Sequence, residues 1–503
     1  MMTLPRAAAC ALTALAVLSL PAALSAADAA AAKHVVLVTT DQEAQLLVAE
    51  LAQLLAADHR VTAVLYGDLG PEPAPPAATV RLATAESDPG RRLSWLERWE
   101  RHPLLTPDAV VASRLAGCGA LQRTGVLADL RPDLIITTLF LDDACVLALA
   151  PDAAVVGLMP SSVGLPWVTQ QLGGHYPVSR LPVHGYPLGD GDFYARLGNL
   201  WRWWTVTRLT QRQYQVPAAA LVGHTDLEAA YERVSAVFVS GDSRLQQDVP
   251  CDHRLRFLGC IECARFGDLP KDQQSAVSTA GLLVIRLDHP YTTLPDSFTA
   301  TLTEGVTGSP LTPMDLSNVT KEGAPRIVRS SAPASDALAH PRARLLVSEC
   351  SPASVLLAIH FSVPIICIPF TAGQKMAAAR AVALGVATQL DRRQLTADAL
   401  RSAVTTVTSS AGTRRAVRAW ADALRHDAVS PAAQLAHHVR HLLLFERAWR
   451  RRPAPTLLQY YCLDVLGTAL VSGSVALGTV ALLFYWVFRV IAARAQPDKD
   501  KVE

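Results

Sequence analysis

Short apolar runs alternate along this chain with longer amphipathic stretches, and the alternation limits the folds open to it. "KHVVLVTT" (33–40) is apolar on both faces, "EAQLLVAELAQLLAAD" repeats its apolar residues at helical spacing, and "RVTAVLYG" is again a continuous apolar run. A strand with two apolar faces must be covered on both, as in a parallel sheet flanked by helices. The strand, helix, strand order predicts an α/β unit, with further buried strands at "PDLIITTLF" and "AAVVGLMP".

A second unit of the same kind follows the turn at "FGDLPKDQQ", opening with a strand in "GLLVIRLDH" (281–289). Its centre is "LLVSECSPASVLLAIHFSVPIICIPF" (345–370): a strand, a turn of small residues, a helix, and a strand ending at proline. Helices are expected next over 374–384 and 395–407, and a linker near 262–275 separates the two units. The Pro-, Gly- and aromatic-rich stretch "GYPLGDGDFYARLGNLWRWW" breaks the rhythm of the first unit. Trp201, Trp203 and Trp204, so closely spaced, read as core or membrane-facing rings rather than ligand-stacking ones.

The two ends carry most of the excess hydrophobicity. Arg6, an apolar run to about Leu20 and small residues around Ser25 and Ala27 make residues 1–27 a signal peptide, the alternative being a short membrane anchor. Residues 465–488 contain no charge and, at about 1.5 Å per residue, are long enough to cross a ~30 Å hydrocarbon core. With a cleaved signal the chain is a type I membrane protein, and Lys499 and Lys501 on the short tail resemble a dilysine signal for return to the endoplasmic reticulum. A net charge of +2 on 503 residues is not strongly basic, and nucleic acid is not expected as a partner.

Nine cysteines in an oxidising compartment permit some pairing. Cys260 and Cys263 in "GCIEC" have redox or metal spacing but no second pair, so a structural pair or buried thiols is expected. His437, His438 and His441 lie at helical spacing without a carboxylate or cysteine to complete a metal set, which reads as a solvated face. Asn318 in "NVT" is a glycan acceptor in a lumenal protein.

Several separated stretches, read together, resemble the membrane-bound UDP-glycosyltransferases of animals and their relatives. "DALAHPRARLLVSE" is similar to that family's "DLLAHPKTKAFITH", "SVPIICIPFTAGQ" to its "GVPMVMIPLFGDQ", and "LLQYYCLDVLG", just before the span, to its "WYQYHSLDVIG". "DFYARLGNL" and "DLPKDQQSAV" also fall where the family has similar segments. The resemblance implies an α/β chain with the GT-B fold of two Rossmann-like domains. Residues 28–265 would form the acceptor side, 266–445 the nucleotide-sugar side, 446–464 a juxtamembrane segment, 465–488 the span and 489–503 a cytosolic tail. It implies hexosyl transfer from a UDP-sugar, as co-substrate and with no cofactor or metal, to a small lipophilic hydroxyl compound.

Carried over position by position, the resemblance also implies that the donor site is altered. The family's diphosphate-binding histidine falls on Glu349 and its two following glycines on Cys350 and Ser351. Its uracil-binding Trp and Gln fall on Ser331 and Ala334, its ribose-binding Glu on Leu357, and its sugar-binding Asp and Gln on Gly373 and Gln374, of which only the last is retained. A diphosphate is drawn to a helix N-terminus by unpaired backbone amides, which glycines let it approach, and a carboxylate at that mouth repels it.

In the first domain the family's general-base histidine falls on Glu43, with Asp41 beside it, and its orienting aspartate on Thr138, with Asp142 and Asp143 a few residues on. Glu43 serves either as a replacement base or as an exposed first-turn carboxylate at a helix N-terminus. The alternative to an enzyme is a catalytically inactive member, a binding or regulatory subunit in a homo- or hetero-oligomer.

Overall fold

The computed structural model describes residues 32–39, 42–67, 78–83, 108–139, 143–150, 153–160, most of 164–245, 254–264, 266–287, 294–427, 429–445 and 463–495. The expected signal peptide, Asp41, Asp142, the juxtamembrane residues 446–462 and the lysines Lys499 and Lys501 lie outside the described residues.

The first unit opens with β1 (His34–Thr39), α1 (Gln42–Leu55), β2 (Arg60–Gly67) and β3 (Ala78–Ala83). It continues through α2 (Asp108–Thr124), α3 (Val126–Leu130), β4 (Leu134–Thr138), α4 (Asp143–Leu149), β5 (Ala154–Met159), α5 (Leu165–Gln171), α6 (Phe193–Thr210), α7 (Val216–Leu221), β6 (Val234–Val239) and β7 (Leu255–Phe257). The second comprises α8 (Lys271–Ala276), β8 (Leu282–Arg286), α9 (Asp296–Thr307), β9 (Thr312–Asp315), β10 (Val328–Arg329), α10 (Ala334–Ala339), β11 (Ala343–Ser348), α11 (Pro352–His360), β12 (Ile365–Cys367), α12 (Ala372–Ala383), β13 (Ala387–Gln389), α13 (Ala397–Ser409) and α14 (Ala411–Arg425). Two helices follow, α15 (Pro431–Phe445) and α16 (Leu463–Ala495).

The strands predicted from apolar runs are buried along their length: every residue of β1, β4, β5, β6 and β8 is inaccessible or nearly so. They pair in parallel throughout, in the orders β3-β2-β1-β4-β5-β6-β7 and β10-β9-β8-β11-β12-β13. Each order runs outward in one direction from its first strand and then reverses, so each sheet has a switch point, between β1 and β4 and between β8 and β11. The loops at the carboxyl ends of those strand pairs diverge there and leave a crevice, where open α/β sheets receive ligands.

Each sheet has apolar cores on both faces. One face of the first packs Val35, Leu37, Ile136, Val156 and Phe238 against α1, and the other packs Val36, Val64 and Ile135 against α2 and α4. Cys118 on α2 and Cys145 on α4 are joined by a disulfide. Cys260 and Cys263 are joined too, the structural pair expected of "GCIEC". Helix α15, which the sequence assigns to the second unit, lays Leu435, Val439 and Leu442 into the core of the first sheet, and Arg440 reaches Asp58 at 3.2 Å. An amphipathic stripe commits a helix to bury one face but does not say against which sheet.

Helix α16 is a separate unit. Residues 463–492 are long and apolar enough to cross a membrane, which places the start of the apolar helix two residues before the predicted 465 and its end beyond 488. Among the described residues no group of three or more His, Cys, Asp or Glu could hold a metal ion. His437, His438 and His441 stack on one another and on Phe445 along α15.

Candidate functional site

The loop at the carboxyl end of β11 occupies the second switch point, and its own side chains satisfy much of it. Ser348 ends β11; its hydroxyl donates to Glu349 Oε2 at 3.2 Å and accepts from the Cys350 amide at 3.0 Å. Glu349 is 1 % exposed, so its carboxylate is packed inside the loop rather than turned to solvent. Cys350 has a left-handed backbone (φ 61°) and is bonded through sulfur to Cys367 at the end of β12. The ladder sets Ser348 opposite Cys367, which is why a residue two beyond Ser348 can reach back to it. A left-handed turn is where glycine is strain-free, so the position retains the conformation of a glycine without its openness.

The helix that follows is closed to an anion in the same way. Ser351 is the N-cap of α11, and its Oγ accepts from the Ser354 amide at 3.3 Å. Pro352 at the first helical position has no N–H to offer. The Val355 amide is bonded to the Ser351 carbonyl at 3.0 Å. Of the amides from Cys350 to Val355, at most those of Ser351 and Ala353 remain for a phosphate.

The buried cation beside this loop is already paired with a carboxylate. Arg286 ends β8, where the ladder pairs it with Ser348, and it is buried. Glu262 clamps its guanidinium at 2.8 and 3.3 Å. Arg286 is the site cation that the sequence reading passed over, because one basic residue at the end of an apolar strand carries no motif.

The other positions that the resemblance assigns to the donor site are scattered over roles of other kinds. Leu357 is fully buried in the core of the second sheet, so the side chain at the ribose position is packing. Ser331 is exposed before α10 and Ala334 begins that helix, half-buried against the same core. Gly373 is buried in the first turn of α12. Gln374 forms a capping box with Thr371: its Oε1 accepts from the amides of Phe370 and Thr371 at 2.8 and 2.9 Å. Its Nε2 is buried with no hydrogen-bond partner, the one retained donor-site side chain with an unused donor.

At the first switch point the hydroxyls of Thr39 and Thr138, at the ends of β1 and β4, meet at 2.6 Å, both buried. A hydroxyl pair supplies no base near neutral pH. Glu43 lies in the first turn of α1, and its side chain is outside the described residues. Asp143, the residue after Asp142, is fully buried and committed elsewhere. It accepts from the Tyr231 hydroxyl, from Gln215 Nε2 at 2.7 Å and from the Ala144 amide at 3.0 Å. Burial, reinforced by the Asp143 charge, holds the Tyr231 phenol well above its ordinary pKa, so it remains a donor to that carboxylate. The sequence reading placed Asp143 near the site; the fold uses it to pin α4 to α7 and Tyr231. Asn318 is exposed with a left-handed backbone (φ 53°), while Thr320 of its sequon is buried and bonded to Asp315 at 2.6 Å.

A family model for "UDP-glucoronosyl and UDP-glucosyl transferase" matches residues 193–496. The chain belongs to that family. Among curated relatives, human UDP-glucuronosyltransferase 1A6 is 22 % identical over 274 residues, covering 52 % of this chain and 50 % of that protein. UDP-glucuronosyltransferase 1-2 of Mus musculus is 24 % identical over 309 residues, 58 % and 57 % of the two. The matches span about half the length of these UDP-glycosyltransferases. A UDP-glucosyltransferase from Polygonum tinctorium superposes with a TM-score of 0.56 at 15 % identity, over 84 % of this chain and all of that one. Os79 from O. sativa, solved in complex with UDP, gives 0.57 at 15 %, over 81 % of this chain and all of its own. The fold is therefore GT-B, as the resemblance implied, and the co-substrate of UDP-glycosyltransferases of this fold is a UDP-sugar.

Proposed function

We propose that this UDP-glycosyltransferase family member is a membrane-anchored, non-transferring protein, a binding or regulatory subunit built on the GT-B scaffold. The observation that carries this reading is the loop 348–354. The amides of Cys350 and Ser354 are taken by the hydroxyls of Ser348 and Ser351, its turn is tied to Cys367, and it holds a buried Glu349 at the position the resemblance gives to the diphosphate-binding histidine.

On this reading residues 28–265 form an acceptor-side domain that takes a lipophilic small molecule or a protein partner, and 266–445 a nucleotide-side domain kept for its shape. Residues 446–464 lead to a span at 465–488 and a cytosolic tail, 489–503. The chain is then a type I protein of the endoplasmic reticulum, returned by Lys499 and Lys501, with a glycan on Asn318 and a second subunit, homologous or not, to regulate.

A second reading keeps hexosyl transfer from a UDP-sugar to a small lipophilic hydroxyl compound, with Glu43, Asp41 or Asp142 as base. The unpartnered Nε2 of Gln374 favours it, being a buried donor of the kind that binds a sugar hydroxyl. A transfer assay decides between them: purified full-length protein, a set of UDP-hexoses and UDP-hexuronates, and lipophilic phenols, followed by release of UDP. The first reading predicts no release above the protein-free rate; turnover that Glu43→Ala abolishes would establish the second.

A further inference from the structure

Helix α6 (Phe193–Thr210) has two unlike faces. One is fixed to the body of the domain: Asn199 is fully buried, donates from Nδ2 to the Val178 and Leu181 carbonyls at 2.7 Å each and accepts from the Val183 amide at 3.1 Å. Val206 and Thr207 are buried on the same side, and Asp192 fixes the start of the helix by accepting from the Ala195 amide at 2.7 Å. The other face carries Phe193, Tyr194, Leu197, Leu200, Trp201 and Trp204, all between 45 % and 78 % exposed. At about 100° per residue these six fall within an arc of about 120°, a continuous apolar stripe on a helix that cannot roll it inward.

The geometry points to a lipid surface as the occupant of this stripe: we propose that α6 lies in the interface of the bilayer that α16 crosses, so that the domain is held by a second contact. The proposal rests on the anchoring reading above. Three observations select lipid. Tryptophan and tyrosine combine an apolar body with a polar tip, which suits the boundary between headgroups and acyl chains. Residues 193–210 include Arg196, Arg202 and Arg208 and no acidic residue; Arg196 is exposed beside the stripe and Arg208 is exposed one turn past its end, both placed for lipid phosphates. Residues 446–462, which join α15 to the apolar helix, cannot exceed about 60 Å even fully extended, so the body stays near the membrane and the entropy lost on docking is small. A second copy is disfavoured, because a contact between two such stripes would bury the arginines along them with no acid on the helix to pair them.

The test uses the full-length chain in nanodiscs of phosphatidylcholine, with and without phosphatidylserine, each with a trace of lipid bearing a diazirine on its acyl chain. After photolysis the adducts are mapped by peptide mass spectrometry. The expected result is adducts on peptides from 193–204 as well as from 463–492, with phosphatidylserine raising the yield on α6 alone. The variant Tyr194→Ser/Leu197→Ser/Trp201→Ser/Trp204→Ser should lose the α6 adducts and keep those on α16; if it fails to fold, the wild-type map still decides. Adducts on α16 alone would overturn the docking and leave the anchor standing. Adducts on neither helix would overturn both, and cross-links between α6 of two chains without lipid adducts would show a chain-to-chain contact instead.

Discussion

Replacing Cys350 separates two contributions that the fold places on one residue. Its sulfur closes a bridge to Cys367, 17 residues away, and its backbone is held at φ 61°. Closing a loop of that length restricts the unfolded chain by roughly 3 kcal/mol. The left-handed backbone opposes this by roughly 1 kcal/mol for any residue with a Cβ and not for glycine. Cys350→Ala breaks the bridge and keeps the strain, so it should cost about 3 kcal/mol. Cys350→Gly breaks the bridge and relieves the strain, so it should cost nearer about 2 kcal/mol. At this fully buried site alanine keeps a methyl, worth up to about 0.8 kcal/mol, that glycine gives up, so their difference is a lower bound on the backbone strain.

The assay is hydrogen exchange of the full-length chain under non-reducing conditions, read on peptides covering β11, α11 and β12. Both variants should exchange faster than wild type there, and alanine faster than glycine by up to about fivefold, the equivalent of about 1 kcal/mol. Faster exchange in glycine than in alanine would refute the strain argument. Protection unchanged from wild type in either would refute the claim that the bridge constrains this loop.

Leu357→Glu places the family's ribose-binding residue back at its position, but inside the core of the second sheet. It should destabilise the domain by several kcal/mol and give no nucleotide affinity, so a lowered melting temperature with unchanged affinity is the expected pair of results. His59, His340, His360 and His438 are all held below the ordinary histidine pKa, chiefly by burial, so the unfolded chain takes up protons more readily than the folded one. The stability they contribute is complete above pH ~6.5 and is lost as the pH falls below it; melting should come earlier at pH 5.5 than at 7.5, and His438→Gln should flatten part of that slope. Arg244 donates to Asp242, to Asp427 and to the Ala423 carbonyl, tying the 242–245 turn to the end of α14. Arg244→Ala should lower stability by about 1 kcal/mol, a half-exposed value, with the loss shrinking in high salt; Arg244→Lys should recover only part of it in urea unfolding.

The two sheets were legible because their central strands are apolar on both faces, a pattern few other elements share. The helix from Pro352 was legible too, from its small-residue turn and apolar run. The docking of α15 was not, since Leu435, Val439 and Leu442 announce a buried face without naming its partner. Glu349 could be placed in the turn between strand and helix from sequence, but the capping by Ser348 and Ser351 depends on hydroxyl orientation, and the Cys350 to Cys367 bridge on strand register. Arg286 escaped notice for the same reason: its significance comes from lying opposite Ser348, which only the ladder shows. Asp143 was legible as a carboxylate near the first switch point, while its partners Gln215 and Tyr231 come from far along the chain.

The loop after β11, with Glu349 buried in it and the Cys350 and Ser354 amides taken, should not bind a diphosphate. Isothermal titration of UDP into the purified full-length protein measures that directly. No heat of binding up to about millimolar UDP is the result predicted, and Glu349→Gln alone should not create a tight site, because the Cys350 and Ser354 amides remain taken. A dissociation constant near about a micromolar for the wild-type chain would contradict the account and restore the loop to its family's use.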